Sequence, residues 1–333
     1  MNITVVLFAI LGMYISGTWL ISSISKLSRS FGISQLVVGL TIITLVTSVP
    51  ELTIAINAAA EDAHGITLGV VAGSNIVNLS LILGISGVLA GGMRIASGLV
   101  RRGIPVMIGV AVVVYLLLWV DMFSRPMGAA MLILFLSLNI AGVYFLRRDA
   151  GIRALTTSEI RTLAPFRTQD LLLLDDSHLL PGEKVNRPWQ FTRLVLAVLL
   201  LLLCANALVQ NALILRDQLG ANEVAVGSTI IALVASLPEM IAVIVAINRK
   251  QAEVALGNIV GSSIANLLLV MGLATTISPI VVDPRARLYE FPVMLVLMLL
   301  LIPVALDNRL RVWEAAGGLV AYVAFFAGVF VLF

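Results

Sequence analysis

The sequence predicts an all-α membrane protein of ten transmembrane helices in two inverted five-helix repeats. Three observations carry that expectation. Of the 333 residues, 60% are hydrophobic and only 12% are charged, with a mean hydropathy of +1.09, whereas soluble domains carry about 25% charged residues. Apolar stretches long enough to cross about 30 Å of hydrocarbon as helices recur along the whole length. The segment beginning at Val38 returns at Val226.

Apolar runs between charged or turn-rich breaks place spans near 4–24, 34–59, 65–90, 103–120, 126–146, 191–215, 222–247, 252–280, 289–306 and 312–333. The first run has neither a basic n-region nor a small-residue cleavage signature before it, so it reads as a retained span. The break at 148–190 holds both signs of charge, Pro165, Pro181 and the run Asp175-Asp176-Ser177-His178. It reads as a linker, with room for a short surface helix, between a first repeat at 1–147 and a second at 191–333.

An excess of Lys and Arg marks the cytoplasmic side. Of the 21 Lys and Arg residues, Arg125, Arg216, Arg285 and Arg287 fall on one side of the expected spans and all others on the opposite side. The central linker is therefore expected in the cytoplasm and both termini outside. A pI near 9.3 does not point to nucleic acid, because the basic residues sit between spans without aromatic interleaving. Topology signals and lipid headgroups explain them. Cys204 is the single cysteine and lies in an apolar run, so it reads as packing.

The repeat carries the chemistry. VGLTIITLVTSVPE from Val38 to Glu51 and VGSTIIALVASLPE from Val226 to Glu239 agree at ten of fourteen positions, at a constant offset of 188. The register continues, with Gly69, Gly73, Ser74, Asn78 and Gly84 matching Gly257, Gly261, Ser262, Asn266 and Gly272. Five spans separate each feature from its copy, and an odd number of crossings reverses direction. Such inverted repeats characterise many secondary transporters, which hold substrate near the midplane.

Glu51 and Glu239 lie deep in apolar runs, where an ionised carboxylate costs several kcal/mol unless paired or hydrated. No Lys or Arg lies mid-span to balance them, so a cation is the expected partner. A structural glutamate bonded to a neighbouring helix is the bland alternative, and duplication of the residue weakens it. Pro50 and Pro238 lack an N–H and push away the carbonyl one turn back, freeing acceptors near Val46–Thr47 and Val234–Ala235. Thr47 and Ser48, and Ala235 with Ser236, precede the carboxylates by one turn. Carboxylate, hydroxyl and carbonyl oxygens suit a hard cation such as calcium or sodium.

Gly69/Gly73 and Gly257/Gly261 permit close helix approach. Asn75 and Ser263, just after them, are candidate side-chain ligands from the facing helices. Asn78 and Asn266 read equally well as interhelical hydrogen-bond glue, while Asn57, Asn139 and Asn206 are unrepeated and read as structural.

At these residues the chain resembles the calcium/cation antiporter superfamily, in its sodium/calcium exchanger-like, prokaryotic branch. The resemblance implies two alpha repeats lining adjoining ion sites. It makes Glu51 and Glu239 the shared carboxylates, Thr47, Ser48 and Ser236 hydroxyl or carbonyl ligands, and Asn75 an amide ligand. Two positions depart from the pattern: Ala235 stands where Thr is usual and offers only a carbonyl, and Ser263 stands where Asp or Asn is common. The implied partners are Ca2+ and a monovalent cation, Na+ or H+, with no cofactor, in a prokaryotic inner (plasma) membrane.

The expected function is exchange of Ca2+ for Na+ by alternating access, with the first and sixth spans as the implied moving part. A proton/calcium antiporter would need the same carboxylates, and a cation channel could also line a pore with them. An intramembrane enzyme lacks support, because His64 and His178 fall outside the expected spans and no nucleophile constellation occurs. The cluster Glu61, Asp62 and His64 reads as a solvated loop, alternatively as a cation attractor at the outer mouth.

Overall fold

The computed structural model describes residues 3–31, 39–95, 99–142, 186–219 and 223–331. Calls on the 148–190 linker, including His178, lie almost wholly outside them. The described chain is helical apart from two short ladders. In hydrocarbon every backbone polar group must find its partner internally, which leaves the helix as the natural state of these apolar runs.

The helices are α1 (Ile3–Ser30), α2 (Leu40–Thr47), α3 (Val49–Ala60), α4 (His64–Leu89), α5 (Leu99–Leu117), α6 (Arg125–Gly142), α7 (Arg187–Leu219), α8 (Val224–Ala235), α9 (Leu237–Asn248), α10 (Ala252–Ile277), α11 (Ala286–Leu306) and α12 (Val312–Val331). Eight are long and apolar enough to cross a membrane, or up to ten if the bent pairs α2–α3 and α8–α9 each count as one span. Four two-residue strands, β1 (Met93–Arg94), β2 (Met122–Phe123), β3 (Ile280–Val281) and β4 (Arg309–Leu310), form two antiparallel pairs, β1 with β4 and β2 with β3.

Four of the expected spans differ in the structure. The spans near 34–59 and 222–247 are each broken, by 51° at Ser48 and by 41° at Ser236. Both serines take the same bridge-region backbone, φ −82° with ψ 5° and 6°, and Pro50 and Pro238 follow in the first turn of the next helix, where a missing N–H is tolerated. Helix α1 continues to Ser30 rather than ending near 24, because Ser28 and Ser30 turn their hydroxyls onto the carbonyls of Ser25 and Leu27, at 3.1 and 2.9 Å. Helix α7 begins at Arg187, inside the stretch assigned to the linker.

The sequence correspondence has a structural counterpart in each element. The π-helical turn Gly39–Ile43 matches Gly227–Ile231, Val77–Ile82 matches Asn266–Val270, and Leu99–Gly103 matches Ala286–Glu290. Likewise β1 corresponds to β3 and β2 to β4, so each ladder joins a strand of one half to a strand of the other.

Helices α4 and α10 sit at the centre, with 89% of each apolar window buried against 17–44% for the other six long helices. Their glycines make the crossings. A Cβ on Gly73 would fall 2.3 Å from the Ser228 carbonyl of α8, and one on Gly261 would fall 2.3 Å from Thr44 Oγ1 and 2.9 Å from the Leu40 carbonyl of α2. Each central helix therefore presses its small face on the bent pair of the opposite half. Further along, Gly84 meets Ala315 and Leu319 of α12, and Gly272 meets Gly128 and Met131 of α6.

Helices α1 and α7 lie side by side at the edge, with Gly12 against Cys204 and Gly17 against Ile241 of α9. Large apolar residues such as Phe8, Leu116, Ile140, Leu203, Leu300 and Val320 point outward, a surface suited to lipid rather than water. One buried ion pair was not anticipated. Arg285, assigned to an outer loop by charge counting, is only 7% exposed and meets Glu290 of α11 at 2.9 Å, while its Nη2 donates to the Val329 carbonyl of α12 at 3.0 Å.

Candidate cation-binding site

The breaks at Ser48 and Ser236 bring the two glutamates to the start of α3 and α9. Glu51 is 0% and Glu239 1% exposed. Ser236 Oγ donates to Glu51 Oε1 at 3.1 Å, and Ser48 Oγ donates to Glu239 Oε1 at 3.3 Å. Each carboxyl is thus held by the serine of the opposite half, and the two groups are close enough for electrostatic repulsion. The second oxygen of each, Oε2, has no hydrogen-bond partner. A buried polar atom left in that state costs about 1–3 kcal/mol, more when charged.

More unpartnered atoms line the central helices. Ser74, whose side chain stands beside Glu51, has no hydrogen-bond partner at Oγ, and neither do Ser262 and Ser263. Asn78 and Asn266 leave both polar side-chain atoms unpaired, and all five residues are 0% exposed. Folded proteins leave few such groups. Here they gather on α4 and α10, with each asparagine four residues after its serine and on the same helical face.

Thr47 is fully buried beside Glu239. Its hydroxyl lies 3.1 Å from the Ile43 carbonyl, 3.4 Å from that of Thr44 and 3.4 Å from Asn258 Oδ1. Ala235 is fully buried in a small apolar cluster with Ile54, Ala58, Ile66, Val70, Val226 and Ile231. Asn75 is buried too, but its Nδ2 donates to Val71 of its own helix at 2.7 Å, leaving only Oδ1 free.

The structure brings together Glu51, Glu239, Ser48 and Ser236, four of the residues singled out from the sequence. Beside them it places Ser74, Ser262, Asn78 and Asn266 with unpaired side-chain atoms. It also sets Asn258 against Thr44 and Thr47, and the sequence reading singled out neither Asn258 nor Thr44. The glue role for Asn78 and Asn266 is not carried by the geometry, because neither side chain bonds to another helix among the described residues. The signal that separates them from Asn75 was present in the repeat: Ser74 and Asn78 recur as Ser262 and Asn266, whereas Asn75 is replaced by Ser263. Away from the site, Asn139 bonds to Phe135 of its own turn at 2.9 Å, as a structural residue would. His64 opens α4, and Asp62 accepts from Ser278 at 3.3 Å on an exposed edge.

The donor set is chemically narrow. Among the described residues no group of three or more His, Cys, Asp and Glu side chains is placed to hold a metal ion. Two carboxyl groups among neutral hydroxyl and amide oxygens form a hard-oxygen environment.

A family model described as Sodium/calcium exchanger protein matches residues 1–142 and 189–331. Inner membrane protein YrbG of Escherichia coli is 30% identical over 281 residues, covering 84% of this chain and 81% of that protein. Sodium/calcium exchanger MaX1 of Methanosarcina acetivorans is 27% identical, covering 99% and 98%. A solved structure of the sodium-calcium exchanger NCX_Mj soaked with Na+ and Sr2+ superposes with a TM-score of 0.76 at 22% identity, over 98% of this chain and 97% of that one.

Proposed function

Because this chain belongs to the sodium/calcium exchanger family of membrane transporters, we propose that it exchanges Ca2+ for Na+ by alternating access, with both ions using Glu51 and Glu239. The observation that carries the proposal is the pair of buried carboxyls, each held by a serine of the opposite half and each keeping one oxygen unpaired. Thr47, Ser48 and Ser236 contribute hydroxyls, and Ala235 a carbonyl. Ser74, Ser262, Ser263, Asn75, Asn78 and Asn266 supply further neutral oxygens.

With the site empty, two like charges face each other in a medium of low dielectric, which opposes closing it. One Ca2+, or Na+ ions of equal total charge, removes the repulsion. The chain then reorients only when neutralised, so calcium moves one way and sodium the other in ping-pong order. Ser48 and Ser236 tie each half to the carboxyl of the other, so a loaded site also joins the halves. The edge pair α1 and α7 is the element free to slide past them.

The halves run in opposite directions through the membrane as units 1–147 and 191–333, giving ten spans, with the linker cytoplasmic and both termini outside. Contacts between distant segments support this arrangement. β1 with β4 and Ser25 with Gln251 join segments that charge counting puts inside. β2 with β3 and Asp62 with Ser278 join segments it puts outside.

The test is uptake of radioactive calcium into proteoliposomes holding the purified chain, with sodium, potassium and proton gradients imposed separately. The expected result is uptake that requires an outward sodium gradient. Uptake driven only by a pH gradient would assign protons as the counter-ion, and flux persisting with no counter-ion gradient would replace the exchanger with a channel.

A further inference from the structure

The two strand ladders share one design and differ in charge. In each, one rung is buried, Met93 with Leu310 and Phe123 with Ile280, and the next is exposed, Arg94 with Arg309 and Met122 with Val281. Beyond the exposed rung both close on the same backbone bond, Ile95 N–H to the Asn308 carbonyl at 2.9 Å and Val282 N–H to the Asp121 carbonyl at 3.0 Å. The exposed rung of β2 and β3 is apolar, so the ladder needs no charge to form. The matching rung of β1 and β4 sets two arginines directly opposite each other on one face, where like charges are destabilising.

No acid relieves that pairing. Neither Arg94 nor Arg309 forms an ion pair among the described residues. Asp307 and Glu314, the acids nearest β4 along the chain, are both engaged by Arg311, through its Nη2 and its backbone N–H, at 2.7 Å each. Around the rung the surface turns apolar, with Leu306, Val312 and Trp313 all exposed. The arginines therefore stand where lipid-facing surface meets water, the level of phospholipid headgroups, at which an exposed tryptophan is the usual anchor. A topology signal needs positive charge on one side of the membrane, but not two arginines on a single rung.

We propose that Arg94 and Arg309 form a binding site for the phosphate of an anionic phospholipid, which seals the β1–β4 ladder between the two halves. Each guanidinium presents a planar fork of N–H donors that matches phosphate oxygens, and the ladder register keeps the two arginines on one face, so a single headgroup can serve both. Bound phosphate replaces repulsion across the rung with attraction to a shared anion. A zwitterionic headgroup would bring its own cation beside the arginines, which favours an anionic one. Free phosphate would leave Leu306, Val312 and Trp313 without an apolar partner, whereas a lipid supplies one. The topology proposed above puts this ladder at the cytoplasmic leaflet, whose surface is negative, although the site itself does not depend on which side it faces.

The experiment follows thermal unfolding of the purified full chain in detergent micelles supplemented with phosphatidylglycerol, phosphatidylcholine or inorganic phosphate at equal ionic strength. Phosphatidylglycerol is expected to raise the melting point about 2–6 °C above its value in phosphatidylcholine, the scale of two arginines at an anionic surface. Arg94→Val with Arg309→Met, which installs the apolar rung of the other ladder, abolishes that difference and leaves melting in phosphatidylcholine unchanged or higher. Arg94→Gln with Arg309→Gln behaves alike. Arg249→Gln, which removes an exposed arginine outside both ladders, retains the difference. Equal stabilisation by phosphatidylcholine, reproduction of the shift by inorganic phosphate, or an equal loss in Arg249→Gln would overturn the site. A melting point lowered in phosphatidylcholine by both rung variants would overturn it too, by making the arginines part of the fold.

Discussion

Replacing Glu51 with Gln isolates charge from shape. The amide keeps an oxygen that still accepts from Ser236, now 3.1 Å from Oε1, so packing and the cross-half bond survive while one of two negative charges disappears. A bound Ca2+ is then left with one uncompensated positive charge in a site that is 0–1% exposed at both carboxyls. Removing one partner of a buried charge pair costs about 3–5 kcal/mol, which corresponds to a loss of calcium affinity of about 150- to 5,000-fold. A single Na+ remains balanced by Glu239, so monovalent binding falls far less. The assay is calcium-dependent thermal stabilisation of the detergent-purified protein alongside calcium uptake in vesicles. Since the carboxyls occupy matching positions, Glu239→Gln shows a loss of the same order. Calcium stabilisation within about threefold of wild type in either variant would refute the charge argument, a threshold far below the smallest loss worked out above.

Two further outcomes follow from packing. Gly73→Ala forces a Cβ to 2.3 Å from the Ser228 carbonyl, while at Gly109, which meets nothing within 4 Å, the same change is harmless. Thermal melting in detergent is expected to fall by about 1–3 kcal/mol for the first, and to hold or rise slightly for the second because alanine is the better helix former. Arg285→Met leaves Glu290 buried without its 2.9 Å partner and lowers stability by about 3–5 kcal/mol, whereas the double change Arg285→Met with Glu290→Met recovers most of it. An unchanged melting point for the single arginine variant would contradict the structural weight given to that pair.

Duplication explains why part of the candidate site is legible in the sequence. Glu51 and Glu239 stand out because an acidic residue in an apolar run is costly, and a second copy at a fixed offset argues against accident. Ser48 and Ser236 were legible as neighbours of those residues. That each reaches the opposite carboxyl was not, because a one-dimensional repeat does not reveal which copy faces which. Asn75 drew attention through its position after the glycine motif, yet its amide is spent on Val71. Asn78 and Asn266 stood evenly between ligand and glue because an asparagine in a helix often bonds across to a neighbour, and only coordinates reveal that these two have no such partner among the described residues. Asn258 was invisible for the opposite reason: lacking a counterpart, it fell outside a search guided by repetition. The ion pair of Arg285 and Glu290 escaped because a charge near the end of a span reads as loop, and burial of that turn depends on α12 folding over it.

The two strand ladders fasten the connections α4–α5, α5–α6, α10–α11 and α11–α12, one ladder at each end of the bundle. Those six helices therefore behave as a chassis riveted top and bottom, each rivet taking one side from either half. Neither ladder draws on α1 or α7, so a carriage made of that pair could travel along the chassis without breaking a single rung. Its resistance to travel would come from contacts such as Gly17 on Ile241 of α9 and the hydrogen bond that Ser25 donates to Gln251 at 2.9 Å.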